Sequence, residues 1–179
     1  MPLNPFGSDR PLLGARVYID STALVIGRVV LGDDASVWPM CVLRGDVNAI
    51  RVGARTNVQD ASILHVTHER EGPGSGLECI LGADVTVGHR VTLHGCTIGD
   101  RCLIGMGAIV MDGAVVEDEV LLAAGSVVPP GKRLQSRSLY LGNPARRVRA
   151  LTARELEDLA YSAAHYVNLK NNYASPSRR

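Results

Sequence analysis

The sequence of 179 residues contains few aromatic side chains, with one Trp (Trp38) and one Phe (Phe6). This scarcity disfavours a globular core anchored on bulky rings and favours a narrow interior filled by Leu, Ile and Val. The chain also lacks an excess of either charge, because 19 basic residues oppose 18 acidic ones and the formal net charge is +1. The composition therefore gives no electrostatic reason to expect binding to nucleic acid or to an anionic membrane.

Long apolar runs are missing as well, and none approaches the roughly 20 residues needed to cross a bilayer. Residues 1–16 lack the charged-then-apolar pattern of a secretory signal. The four cysteines form no CxxC pair, so we expect reduced thiols in a cytoplasmic protein.

What the sequence does contain is an aliphatic residue at almost every sixth position. Most steps are of six residues, and three adjustments of the frame are needed. The eighteen members of this series, called rungs here, are Leu13, Ile19, Val25, Leu31, Val37, Leu43, Val52, Val58, Leu64, Leu81, Val87, Leu93, Ile98, Ile104, Val110, Val116, Leu122 and Val128. A hexapeptide period is typical of a parallel β-helix, in which each coil buries its apolar residues against the coils above and below.

Three rungs make one coil, so the series predicts a triangular prism of stacked coils over residues 1–135. Pro129-Pro130-Gly131 is interpreted as the end of the regular stack. One excursion, Val66–Ile80, interrupts the coils and contains the turn-forming segment Glu71-Gly72-Pro73-Gly74-Ser75-Gly76. Thr152 and Glu155 have the spacing of a capping box, which predicts a C-terminal helix over residues 150–173. This helix should pack on the β-helix or on a neighbouring subunit.

The register of the rungs places two histidines in one column. His65 directly follows Leu64, and His94 directly follows Leu93, so the two imidazoles should stack on one edge of the prism. Arg44 occupies the same column one coil below. His89 belongs to a different edge, where Asp60 should lie beneath it.

One chain cannot easily bring these two edges together, but a threefold assembly can. Setting the edge that carries His65 and His94 against the His89 edge of the next subunit would gather three imidazoles at each interface. Three neutral imidazoles form a catalytic zinc shell that leaves a fourth position for water. The sequence therefore predicts three metal sites per trimer.

Five segments resemble the gamma-class carbonic anhydrase-like family, and the resemblance covers essentially the whole chain. They are Leu43-Arg44-Gly45-Asp46, Thr56-Asn57-Val58-Gln59-Asp60, Leu64-His65-Val66-Thr67-His68, Val87-Gly88-His89 and Leu93-His94-Gly95-Cys96. The resemblance implies an all-β fold, a left-handed parallel β-helix of hexapeptide repeats, with a C-terminal α-helix and a homotrimer. It also implies zinc, or iron or cobalt, held by His65 and His94 of one subunit and His89 of another.

The resemblance further implies roles for residues around the metal. Gln59 resembles the residue that hydrogen-bonds a metal-bound hydroxide, and Arg44 and Asp60 resemble an ion pair across the subunit boundary. Asp46 and Asn57 are supports, and Tyr161 is matched to a helix tyrosine that reaches over the site. Val47 stands where well-studied members have an acidic residue linked to proton transfer, which leaves His68 or Glu69 as replacement shuttles.

The implied activity is metal-dependent, reversible hydration of carbon dioxide to bicarbonate at trimer interfaces. Two alternatives stay open. The first is a hexapeptide-repeat acyltransferase that uses coenzyme A and needs one interface histidine as a base. The second is a catalytically weak, metal-binding trimeric scaffold.

Overall fold

A computed structural model describes residues 2–70, 72 and 75–174 of the chain. It is a left-handed parallel β-helix followed by one C-terminal helix, as the hexapeptide pattern and the resemblance predict. The strands lie on three faces, because the chain turns a corner after each short strand. No helix among the described residues has the length and apolarity needed to cross a membrane.

The described residues form twenty strands and one helix. In chain order they are β1 (Leu3–Asn4), β2 (Leu12–Leu13), β3 (Tyr18–Ile19), β4 (Leu24–Leu31), β5 (Ser36–Val37), β6 (Val42–Val52), β7 (Asn57–Val58), β8 (Ile63–His65), β9 (Cys79–Leu81), β10 (Thr86–Val87), β11 (Thr92–His94), β12 (Thr97–Ile98), β13 (Leu103–Ile104), β14 (Ile109–Val110), β15 (Val115–Val116), β16 (Leu121–Leu122), β17 (Val127–Val128), β18 (Arg133–Leu134), β19 (Ser138–Leu141), β20 (Arg146–Ala150) and α1 (Ala153–Ala174).

The rungs form the core in the predicted register. Strands of successive coils pair in parallel, so that Leu43 lies beside Leu64 and Leu64 beside Leu93. From Val25 onward every rung is buried. The first two rungs differ, since Leu13 is exposed and Ile19 half-buried in the first coil, which has a neighbouring coil on one side only. The hydrophobic effect therefore fixes the register, because a slip by one residue would turn each rung outward.

The stack continues past the predicted end at Pro129-Pro130-Gly131. Leu134 of β18 lies beside Val116, and Tyr140 of β19 lies beside Leu122; both side chains are buried. The Pro-Pro-Gly segment is a corner between β17 and β18. Proline suits a corner because its φ is already restricted to turn values. The β structure thus extends to Ala150, beyond the boundary at residue 135, and ends in the antiparallel pair β19–β20.

The excursion between β8 and β9 is closed at its base by two backbone hydrogen bonds between Thr67 and Leu77, with N···O distances of 2.9 and 3.1 Å. Glu71, Pro73 and Gly74 of the predicted turn lie outside the described residues. The functional consequence is local: Thr67 stands two residues from His65, so the base of the excursion adjoins the histidine column.

Helix α1 begins with the predicted capping box. The amide of Glu155 donates to Thr152 Oγ1 at 3.2 Å, and Glu155 accepts from the amide of Thr152 at 2.9 Å. The helix packs across β5, β7 and β10, where Ser162 contacts Thr86. It thereby covers the first coils of the face that carries Gln59, and leaves the later coils of that face more open.

A column of charged residues runs along one corner of the prism, and its sign alternates from coil to coil. All seven members have a positive φ between 51° and 57°. They are Arg16, Asp34, Arg55, Asp84, Arg101, Glu119 and Arg137. Arg55 makes two contacts of 2.6 Å with Asp84, one from each of two guanidinium nitrogens. Because a slip of one coil would place like charges side by side, this column supports the same register as the core.

Reversing one charge in this column should destabilise the stack. We expect Asp84→Arg to lower the free energy of unfolding by about 1 kcal/mol, because it removes a paired carboxylate and sets Arg55 and Arg101 beside a third cation. Asp84→Asn keeps the size and tolerates the positive φ, so it should cost less. Urea unfolding at low and high salt checks this: added salt should shrink the difference between the two variants. An equal loss in both, independent of salt, would contradict it.

Candidate metal site

The two histidines predicted to share a column are direct neighbours. His65 ends β8 and His94 ends β11, and the two residues are register partners in the parallel pair of strands. Their rings face each other with 3.0 Å between His65 Nδ1 and His94 Nε2. This stacking follows from the hexapeptide period, since each histidine comes directly after a buried rung.

The outer nitrogen of each ring is held by a carboxylate. His65 Nε2 lies 3.1 Å from Asp46 Oδ1, and His94 Nδ1 lies 2.9 Å from Asp112 Oδ1. Burial raises the pKa of Asp46, but hydrogen bonds from Arg44 and His65 outweigh it and the net shift is downward. The pKa of Asp112 is also lowered overall: burial opposes this, and hydrogen bonds from Thr67 and His94 cause it. Both groups are therefore carboxylates near neutral pH.

These contacts determine the protonation of the two inner nitrogens, His65 Nδ1 and His94 Nε2. A carboxylate only accepts hydrogen bonds, so each outer nitrogen carries the N–H of its ring, and a neutral imidazole has only one. The inner nitrogens, 3.0 Å apart, then present two lone pairs to each other. Such an arrangement needs a cation, either a proton or a metal, to be stable. Two nitrogens that bind one tetrahedral zinc would be about 3.3 Å apart, so small adjustments of the side chains suffice.

The surroundings of His65 favour the neutral ring that a metal requires. Burial lowers its pKa, and the positive charge of Arg44 lowers it further, while the hydrogen bond to Asp46 acts in the opposite direction. A metal ligand must be deprotonated, so a lowered pKa removes one source of competition by protons.

His89 lies on a different edge, as predicted. It follows β10, and its Nδ1 lies 2.8 Å from Asp60 Oδ2 in the coil below. This contact leaves His89 Nε2 directed away from the carboxylate. Within the described part of the chain, no three His, Cys, Asp or Glu side chains come together in a group able to hold a metal. A site with three imidazoles therefore requires a second copy of the chain.

Gln59 is held by a chain of polar side chains on the same face as His89. Its Nε2 donates to Asn57 Oδ1 at 3.1 Å, Asn57 Nδ2 donates to Thr86 Oγ1 at 3.1 Å, and Thr86 Oγ1 lies 2.9 Å from Ser162 Oγ on α1. The amide of Gln59 is thus oriented by one of its two N–H groups. Its carbonyl Oε1 accepts no hydrogen bond from the described residues, and Gln59 and His89 line the same groove.

An apolar groove of about 440 Å³ opens beside these two residues. Gln59, His89, Ser162 and Tyr166 contribute polar groups at its edges, and most of its remaining lining is aliphatic, from β13 and β16 and the corners that follow them. Burial raises the pKa of Tyr166, and the charge of Asp60 adds to the shift. The tyrosine of α1 that approaches this region is therefore Tyr166.

Tyr161 lies on the exposed side of α1. Its side chain is 69% exposed and stacks on His165, with 5.9 Å between ring centroids, and it does not line the groove. Five residues of helix separate Tyr161 from Tyr166, a rotation of about 140° around the axis. Within one chain, the helix tyrosine that lines the groove is thus Tyr166, and the role that the resemblance implies for Tyr161 stays a prediction.

Arg44 and Asp60 do not meet within the chain. Arg44 contacts Asp46 Oδ2 at 2.5 Å, and Asp60 contacts His89. Their predicted ion pair across a subunit boundary stays a prediction. The structure adds a role for Asp46, which accepts from Arg44 with one oxygen and from His65 with the other.

Asp112 and its partner Thr67 were missed by the sequence reasoning. The Thr67 hydroxyl donates to Asp112 Oδ1, the oxygen that also contacts His94. Met111 occupies the histidine column one coil above His94, and Asp112 follows it in the sequence. Extending the column by one coil and inspecting the next residue would have found it.

Known proteins resemble this chain over almost its whole length. Residues 95–130 match the family described as bacterial transferase hexapeptide (six repeats). Protein YrdA of Escherichia coli strain K12 is 52% identical over 96% of this chain and 93% of its own length. Mitochondrial gamma carbonic anhydrase 2 of Arabidopsis thaliana is 43% identical over 94% of this chain and 60% of its own length.

A solved structure agrees with the fold. The hexapeptide transferase family protein from Anaplasma phagocytophilum is 40% identical, covers 96% of this chain and 97% of its own, and superposes with a TM-score of 0.88. The fold and the carboxylate-held histidines define a hexapeptide-repeat protein of the β-helix class. The chain belongs to the gamma-class carbonic anhydrase-like family.

Proposed function

We propose that this protein is a gamma-class carbonic anhydrase that hydrates carbon dioxide reversibly to bicarbonate at the interfaces of a homotrimer. The observation that carries the proposal is the pair of inner nitrogens of His65 and His94, 3.0 Å apart, each on a ring whose outer nitrogen is held by a carboxylate. An imidazole that binds zinc usually donates its other ring N–H to a carboxylate, a backbone carbonyl or water. His89 of another subunit, held by Asp60 in the same way, would complete the set.

The surface around the histidine column supports an interface between copies. The outward-facing positions beside the column are in register from coil to coil, and three of them expose large aliphatic side chains: Leu24 at 43%, Ile63 at 46% and Ile109 at 38%. Large exposed apolar residues grouped along one edge favour a surface that another protein covers. A second copy that presents its His89 edge here would bury the stripe and complete the metal site together.

Zinc suits three neutral imidazoles with one open position, and when bound it supplies a Lewis acid that lowers the pKa of water. The residues of the chain have separate tasks. The carboxylates of Asp46, Asp112 and Asp60 orient the three rings. Gln59 Oε1 accepts a hydrogen bond from the attacking oxygen and so directs a lone pair of that oxygen toward the substrate. The aliphatic lining of the groove accommodates an apolar gas and excludes water.

The experiment that tests this is metal reconstitution followed by stopped-flow measurement of carbon dioxide hydration with a pH indicator. We expect one zinc per chain and zinc-dependent hydration. His94→Ala should lose both, whereas His165→Ala, a histidine on the exposed surface of α1, should keep both. Zinc binding without hydration would leave only a metal-binding scaffold, and full activity of His94→Ala without metal would refute the proposal.

Acyl transfer with coenzyme A is the second candidate, and the size of the groove favours it. A cavity of about 440 Å³ falls within the range of sites for organic ligands of drug size, far larger than a triatomic substrate. Binding of coenzyme A in the same preparation, without a requirement for zinc, would support this candidate over hydration.

A further inference from the structure

We infer that Asp112 and Thr67 are positioning residues for His94, and that they fasten this imidazole to the base of the excursion. The inference rests on the proposed metal site. It adds two residues that neither the sequence reasoning nor the names of the related proteins assign to the site. The geometry that points to it is a single carboxylate oxygen shared between a ring and a hydroxyl.

Asp112 Oδ1 accepts from both partners. His94 Nδ1 lies 2.9 Å from this atom, and Thr67 Oγ1 donates to the same atom. Gly95 makes room for the arrangement: it has a φ of +51°, and a Cβ there would lie 2.8 Å from both Asp112 Oδ1 and Thr67 Oγ1. The three groups therefore fit together only because position 95 carries no side chain.

The two carboxylates that hold the His65–His94 pair differ in their own partners. Asp46 is neutralised by Arg44, while the ion pair recorded for Asp112 within the described chain is with His94 alone. A neutral hydroxyl orients Asp112 without removing its charge. The negative charge of Asp112 is therefore directed at His94 and is not shared with an Arg or Lys of the described chain. Orientation and basicity of a ligand both contribute to metal affinity.

Thr67 is itself fixed by backbone contacts. Its N–H and C=O bond to Leu77 across the neck of the excursion, and its carbonyl also accepts from Asn48 Nδ2 at 3.2 Å. The hydroxyl therefore reaches Asp112 from a rigid anchor. Through this contact the geometry at the base of the excursion is transmitted to His94.

The test uses Thr67→Val, which keeps the branched shape and removes the hydroxyl, and Thr67→Ser, which restores the hydroxyl. Thr97→Val is the matched control, because Thr97 is a half-buried strand threonine whose side chain makes no hydrogen bond to the described residues. Cobalt(II) affinity is measured by competition with a chromogenic chelator, and the visible spectrum of the bound cobalt reports the ligand geometry. Size-exclusion chromatography confirms that each variant keeps the wild-type assembly.

We expect Thr67→Val to weaken cobalt binding about tenfold and to change the spectrum, as is typical when an outer partner of a ligand is lost. Thr67→Ser and Thr97→Val should match the wild type, and Asp112→Asn should weaken binding at least as much as Thr67→Val. Wild-type affinity and spectrum in both Thr67→Val and Asp112→Asn would overturn this inference alone. Failure of the wild type to bind cobalt would instead overturn the proposed metal function and this inference with it.

Discussion

Two inactive variants, His65→Ala and His89→Ala, are expected to recover activity when their chains are combined in one trimer. In a mixed trimer, one of the three interfaces sets an intact His65–His94 edge against an intact His89 edge. Random assembly of equal amounts makes three quarters of the trimers mixed, so about one quarter of all sites should be complete. Carbon dioxide hydration and zinc content should therefore each return to about one quarter of the wild-type level.

This result follows from the separation of the histidines within one chain. His65 and His94 face each other, while His89 lies on another edge with Asp60. Co-expression of the two chains with different tags, followed by purification on both, enriches the mixed trimers, in which one site in three should be complete. Metal analysis and stopped-flow hydration on the same sample give two independent measurements.

A matched mixture controls for nonspecific rescue. His65→Ala and His94→Ala damage the same edge, so no arrangement of these chains combines both intact histidines on one subunit. This mixture should stay inactive. Recovery here, or no recovery in the first mixture, would contradict a site built by adjoining subunits with His65 and His94 from one and His89 from the other.

Most of the fold was predictable from the sequence because equivalent positions of successive coils in a β-helix are in contact. Residues one coil apart touch, so the spacing of Leu43, Leu64 and Leu93 translates directly into the observed strand pairing. The end of the stack was not predictable by the same means. Tyr140 continues the core as an aromatic residue, and the prolines before it have turn propensity without indicating whether a coil follows.

The candidate site was likewise predictable only in part. The stacking of His65 on His94, and of His89 on Asp60, follows from the rung register and is confirmed. Asp112 was not predicted because it lies one position outside the histidine column. The rotation of α1, which places Tyr166 beside the groove, was not predictable because it depends on packing of the helix against the β-helix, which the hexapeptide period does not describe.

Loss of a single buried ion pair is expected to weaken the docking of α1 on the β-helix. Lys170 is 1% exposed, and its Nζ lies 3.0 Å from Asp34 Oδ1. We expect Lys170→Met to lower the free energy of unfolding by about 3 kcal/mol, the low end for breaking a buried pair. The low end applies because Arg16 still neutralises Asp34. Lys132→Met, at the other lysine of the sequence, serves as control and should leave stability almost unchanged.

Trp38 is well placed to report on undocking of α1 from the β-helix. Its ring packs against Tyr166 and Tyr173 of α1, with centroid separations of 5.5 and 5.1 Å. It is the one tryptophan of the chain, so tryptophan emission reports on this contact and on the neighbouring ring of Tyr18. Undocking of the helix would expose the indole and shift its emission to longer wavelength, whereas the β-helix core would keep its far-ultraviolet dichroism.

Acid should produce the same shift in the wild type. The hydrogen bond from Arg16 lowers the pKa of Asp34 from 3.8 to about 2, against the opposing effect of burial and with added help from Lys170. A carboxyl whose pKa is lower in the folded state stabilises the fold above its unfolded pKa, and this contribution is lost as the pH falls through the folded value. Trp38 emission should thus shift between pH 4 and about 2. In Lys170→Met the shift should begin at higher pH, because Asp34 has lost one of its two cations. Identical titrations of the two proteins would show that the Asp34–Lys170 pair does not hold the helix.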